Sequence, residues 1–298
     1  SGSVDVEINF NDLLDDILKD SDIATELNDI IRQIGGLPSL STNNSKRPDD
    51  VSFSAMSVDS LTANASFQFG RELERLRSDF DPAWDRHNSS GRLNVRRLVR
   101  GDDMDTIFDQ WVEGKSDVTE IECVVLLDRS ASMSGNKATN AYRAMYAIKR
   151  ALDKIEASTT VITFNDSAQM LYDSHERATN VIRHAGATGG TDPDYALKYA
   201  TKILAESDKP VRIFFAITDG EWSGDVKTYD ESIKKMARSG VLTAFAYIPY
   251  YENEEAKITD PEFRHNCEIG AVIHNPLNLI NMAKAIVKYA ITRRLVNQ

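Results

Sequence analysis

The chain has 298 residues, of which 41% are hydrophobic and 27% charged, and its formal net charge is −11. That length holds one large domain with an extension, or two domains. The acidic balance excludes general nucleic-acid binding, which needs Lys and Arg to displace the counterions of the phosphate backbone.

No apolar run reaches membrane-spanning length. Cys123 and Cys267 are the two cysteines. They give no disulfide framework and no zinc-type spacing. With no basic, apolar leader-like segment in the sequence, the expected compartment is the cytoplasm.

Along the chain, Phe10, Leu13, Leu14, Ile17 and Leu18 recur at helical spacing. Ile23, Leu27, Ile30, Ile31 and Ile34 do the same and stop at Gly35-Gly36. Both predicted helices have acidic outer faces. Residues 39–52 are polar and broken by Pro48, which predicts a loop. A third helix is predicted over 58–78, with Arg and Glu at pair-forming spacings. Arg92, Arg96, Arg97 and Arg100 then cluster in an otherwise acidic chain. They are expected to pair with acids of the same protein, for example those of the N-terminal hairpin. Periodicity leaves 105–112 open between strand and helix. Residues 1–118 thus read as a mainly helical extension.

From residue 119 to 298 strand and helix patterns alternate. Strands are predicted at Ile121–Leu127, Thr160–Phe164, Val211–Thr218 and Val241–Ile248, with weaker ones at Ala168–Leu171 and Ala271–His274. Helices are predicted over 137–156, 193–206 and 276–295 from apolar residues at i, i+3 and i+4. This rhythm predicts an α/β fold, a doubly wound, mostly parallel sheet with helices on both faces. The near-continuous apolar runs at 123–127 and 211–217 fit strands buried on both sides.

The segment VVLLDRSASMS, residues 124–134, carries the most chemistry. An apolar strand runs into Asp128, and Ser130 and Ser132 follow at alternate positions. One carboxylate and two hydroxyls on a tight loop are hard oxygen donors, suited to Mg²⁺, with Mn²⁺ or Ca²⁺ as alternatives. Two further loops are placed at the same sheet edge. ATGGTD, 187–192, offers Thr191 after a flexible glycine pair, and ITDGE, 217–221, offers Asp219 where a strand runs out. Loops at the carboxyl ends of parallel strands meet at one edge. Asp128, Ser130, Ser132, Thr191 and Asp219 are therefore the candidate metal ligands. They leave room for water and one outside ligand.

These three elements, in this order, resemble a von Willebrand factor A-type (vWA) domain with a metal-ion-dependent adhesion site, over about residues 118–298. The resemblance implies a doubly wound, Rossmann-like sheet. It also implies that the two serines and the threonine contact the metal, that the aspartates act through water, and that a partner's acidic residue fills the open position. Arg129 and Ala131 depart from the family, where many members have Gly at the first position; the ligand positions are untouched. The approach through SGRLNVRRLVR and DTIFDQWVE is similar to that of cobaltochelatase T-like subunits. That likeness implies a hexameric AAA+ ATPase of the MoxR and chelatase type as partner.

The expected function is a non-enzymatic, metal-dependent protein-binding module, with neither nucleic acid nor membrane as partner. A structural component with a vestigial site is one alternative. The other is a Mg²⁺-dependent phosphatase with Asp128 as nucleophile. That chemistry wants a carboxylic acid two residues after the nucleophile, where this chain has Ser130. The chain also lacks a GxxxxGK[ST] phosphate loop.

Overall fold

The computed structural model describes residues 48–50, 54–78, 83–88, 92–93, 97, 100, 108–112, 120–249, 257–275 and 278–296. The two helices expected before residue 35, and Arg96 of the arginine cluster, lie outside the described residues.

In chain order the elements are β1 (Asp49–Asp50), β2 (Ser54–Ser57), α1 (Ser60–Ser78), β3 (Ala83–Asn88), β4 (Arg92–Leu93), β5 (Phe108–Val112), β6 (Ile121–Asp128), α2 (Asn136–Lys154), β7 (Ser158–Phe164), β8 (Ala168–Tyr172), β9 (Val181–His184), α3 (Asp194–Glu206), β10 (Val211–Thr218), α4 (Val226–Arg238), β11 (Leu242–Tyr247), β12 (Ile269–Val272) and α5 (Leu279–Val296).

The main sheet has seven strands in the order β1-β8-β7-β6-β10-β11-β12. All its pairings are parallel except β7 with β8. The antiparallel pair follows from its link, because residues 165–167 are enough for a turn and far too few for a crossover.

Period-two alternation sorts the strand residues onto two cores. Cys123, Val125 and Leu127 of β6, with Ile213, Phe215 and Ile217 of β10, face α2 and α5. Val124 and Leu126, with Phe214 and Ala216, face α3 and α4. Helices on both sides bury every residue of β6, which is why its sequence is apolar without alternation.

Helix α4 is not among the predicted elements, although its buried positions recur at i, i+4 and i+7. Its buried side chains are Tyr229, Ile233 and Met236, three positions among charged neighbours. The earlier region contributes more than helix. β1 extends the main sheet beside β8, and β2 pairs with β9. α1 lays Phe69 and Leu73 into the α2 and α5 core. The stretch left open at 105–112 contains strand β5, which lies between β3 and β4 in a separate antiparallel sheet. Arg97, one of the clustered arginines, pairs with an acid of the same protein, Asp109 of β5, at 3.0 Å; the N-terminal hairpin lies outside the described residues.

Candidate metal centre

The site arises from the strand order. After β6 the chain moves to one side, to β7 and β8, and later returns on the other side as β10. The carboxyl ends of β6 and β10 therefore diverge into loops that leave in opposite directions, and the crevice between them is where ligands bind in open α/β sheets. The register pairs Ile217 with Leu127, so Asp128 and Thr218 come next, side by side.

Asp128 is 2% exposed. One carboxylate oxygen accepts the Ser130 N–H at 2.7 Å and the other accepts the Thr218 hydroxyl at 2.5 Å. Burial is the main influence on this carboxyl and pushes its pKa up, while the bonds from Thr218 and Ser130 pull it down and the nearby Asp219 charge raises it. The first bond folds the loop back so that the Ser130 and Ser132 hydroxyls lie 2.9 Å apart. Ser132 in turn donates to Asp219 Oδ1 at 2.7 Å, and Lys137 Nζ donates to Asp219 Oδ2 at 2.7 Å. Ser130, Ser132 and Asp219 thus form one chain of oxygens, and Asp128 joins it through the Ser130 backbone N–H.

Thr191 is placed differently. Its loop is held between the other two: Ala131 N–H donates to Gly189 O at 3.2 Å, and Ser223 N–H donates to Thr191 O at 3.0 Å. Among the described residues its hydroxyl has no hydrogen-bond partner, so the structure brings its backbone to the site without joining its side chain to the oxygen chain. α3 begins at Asp194, whose N–H is taken by the Asp192 carboxylate at 3.0 Å. An Asx-type bond two residues ahead ends the loop there.

Several supporting residues escaped the sequence reading. Arg129, buried between Asp128 and Ser130, donates to Gly186 O, Asn165 Oδ1 and Ser167 Oγ at 3.3, 3.0 and 3.2 Å. Burial lowers its pKa. The family departure at 129 is therefore a tie between the first loop, the 186–190 loop and the β7–β8 turn. Asp166, in the β7–β8 turn, accepts the Gly190 N–H at 2.8 Å. Gly189 has φ +76, and a Cβ there would meet Asp166 Oδ2 at 2.5 Å. The glycine pair is thus required by both backbone conformation and close approach. Thr218 carried one signal, its place directly before Asp219 in ITDGE. Lys137 carried only its nearness to the serine loop.

The donor set suits a hard divalent ion. Carboxylate and hydroxyl oxygens lie in contacts of 2.5 to 2.9 Å along one crevice, and such oxygens are the ligands Mg²⁺ and Mn²⁺ prefer. Among the described residues no group of three or more His, Cys, Asp and Glu side chains is disposed to hold a metal. Any ion here would therefore depend on the hydroxyls.

Fold and site together define the class. Residues 123–221, from β6 to the loop after β10, match the family model of the von Willebrand factor type A domain. Solved structures with similar folds include proximal thread matrix protein 1 from the mussel byssus, at 16% identity and TM-score 0.42, covering 58% of this chain and 46% of that one. The chain thus spans less than half the length of that protein. Others are the SpRpn10 VWA domain, at 14% identity and TM-score 0.39, covering 55% and 94%, and manganese-loaded Plasmodium vivax TRAP protein, at 17% identity and TM-score 0.43, covering 58% and 73%. A search of curated protein sequences returns no match. No helix among the described residues is long and apolar enough to cross a membrane.

Proposed function

We propose that this chain is a non-enzymatic, metal-dependent protein-interaction module whose ion, Mg²⁺ or in its place Mn²⁺ or Ca²⁺, is held by Asp128, Ser130, Ser132, Thr191 and Asp219. The observation that carries this reading is the oxygen chain from Ser130 through Ser132 to Asp219, with Asp128 tied to it by the Ser130 N–H, in the crevice where the strand order reverses. When bound, a divalent ion supplies a directional, electrophilic contact for an outside carboxylate oxygen. The protein's own part is positioning. Thr218 and the Ser130 N–H fix the Asp128 carboxylate, Ser132 orients Asp219, and Arg129 and Asp166 hold the loop that presents Thr191.

The phosphatase alternative has less support. Ser130, at the position of the needed acid, has its hydroxyl engaged with Ser132, and a serine hydroxyl is a poor proton donor at neutral pH. The chelatase-like approach to β6 makes a hexameric AAA+ ATPase the first partner to test, with an acidic residue of that ring as the ligand.

Two measurements test the reading. Mn²⁺ titrated into the full chain by calorimetry gives saturable binding, and Asp128→Ala abolishes it while the far-ultraviolet spectrum is kept. Capture of the ATPase ring is lost in chelator and in Asp128→Ala. Capture equal in all three samples overturns metal dependence.

A further inference from the structure

Asp219, like Asp128, is a buried charged member of the site. Its side chain is 1% exposed, and the Lys137 ammonium that meets it is 20% exposed. Ser132 takes one carboxylate oxygen and Lys137 the other, each at 2.7 Å. Lys137 comes from the first turn of α2, directly after the serine loop. The helix start sets its stem beside the crevice.

Resting on the metal-site reading above, we propose that Lys137 is a built-in counter-cation that lowers the affinity for a bare ion and makes the loaded site select an anionic ligand, a carboxylate. The charges of the site support this. Counting only the groups in direct contact with the oxygen chain, Asp128 and Asp219 against Lys137 leave one net negative charge, which a divalent ion converts to one net positive charge. Without Lys137 the loaded site would be neutral. An ammonium within a few ångströms of a divalent ion repels it, and in a half-enclosed crevice that repulsion changes affinity by about tenfold or more. The same positive charge attracts an incoming carboxylate, so ion and ligand bind better together than apart. This is a coupling between two ligands and is reciprocal. Lysine suits the role, being a compact, strongly hydrated point charge with no acceptor of its own.

The test uses the full chain, Mn²⁺ as metal and acetate as carboxylate probe. Calorimetric titrations compare the parent protein, Lys137→Gln and Lys137→Arg, each with and without excess acetate. Lys137→Gln is expected to bind Mn²⁺ about tenfold more tightly and to lose the enhancement by acetate that the parent shows. Lys137→Arg keeps the parent behaviour. Thermal melts in chelator separate this role from simple packing. Lys137→Gln melts below the parent without metal, because Asp219 is left buried and unpaired, and gains more from added Mn²⁺. A residue with only a packing role would lower both melts equally. Equal Mn²⁺ affinity and equal acetate enhancement in the parent and Lys137→Gln overturn the role of Lys137 while leaving the metal site standing. No binding by any of the three proteins overturns the metal site itself, and this inference with it.

Discussion

Gly189 shows how a single residue holds the site in register. Its positive φ suits glycine, and the absent Cβ leaves room for the Asp166 carboxylate and the Asn165 amide. Asp166 can then accept the Gly190 N–H, and Asn165 can donate to Thr188 O at 2.6 Å. Gly189→Ala should cost about 1–3 kcal/mol, combining the left-handed backbone penalty with displacement of Asp166. Urea unfolding measures this, and a loss below a few tenths would mean that the loop yields without strain. Arg129 is the complementary case, a buried cation whose polar partners come from two other loops. Neither role was open to a reader of the sequence. The glycine pair advertises flexibility, but the carboxylate it accommodates is 23 residues earlier, in another turn.

Among the elements, the pair β6 and β10 sets the chemistry and the segment before β12 shields one flank of it. His265 stacks on Trp222, ring centroids 4.2 Å apart and planes within 10°, and its Nδ1 lies 2.9 Å from Asp230 of α4. Burial holds this imidazole below the ordinary histidine pKa, while Asp230 and Glu221 pull the other way. The neutral ring is thus the form the fold favours. Its contribution is complete above the unfolded-state value of 6.5 and is lost as pH falls from there towards the lower folded value. The stability of the parent relative to His265→Gln, followed by denaturant unfolding, should therefore decline as pH falls below about 6.5. A difference that is flat or rises towards acid would show that the Asp230 pair, not burial, dominates. Comparison with the variant matters, because Glu122 is pushed up by burial and contributes a pH dependence of opposite sign.

For the whole molecule, the question is where the domain begins. The alternating pattern starts at residue 119, yet the fold draws on what precedes it. β1 and β2 add edges to β8 and β9. Phe69 and Leu73 of α1 are 0% and 2% exposed. Lys154 with Glu74 and Arg143 with Asp59 link α2 to α1 and the residue before it, at 2.8 and 2.9 Å. A chain of residues 119–298 alone should lose roughly 3 kcal/mol or more, from the apolar surface that α1 covers. Its melting temperature should fall, and its tendency to self-associate should rise. Equal melting temperatures for the two chains would make residues 1–118 a detachable extension.

The sequence by itself determined the fold class, the metal-ligand candidates and their order, because each rests on a local signal. Period two and apolar runs mark strands buried on both faces, period 3.6 marks α2, α3 and α5, and the residue after an apolar strand end must sit at the sheet edge. Only the tertiary structure decided what binds those residues to one another. Thr218 meets Asp128 through the register of two strands 90 positions apart, and Ser132 and Lys137 meet Asp219 across 87 and 82 positions. Pairings of that range depend on strand order, which no local period encodes. The strands before residue 112 were hidden for the related reason that their few apolar positions gain meaning only from the surfaces they cover, whereas α4 does carry a local period in Tyr229, Ile233 and Met236.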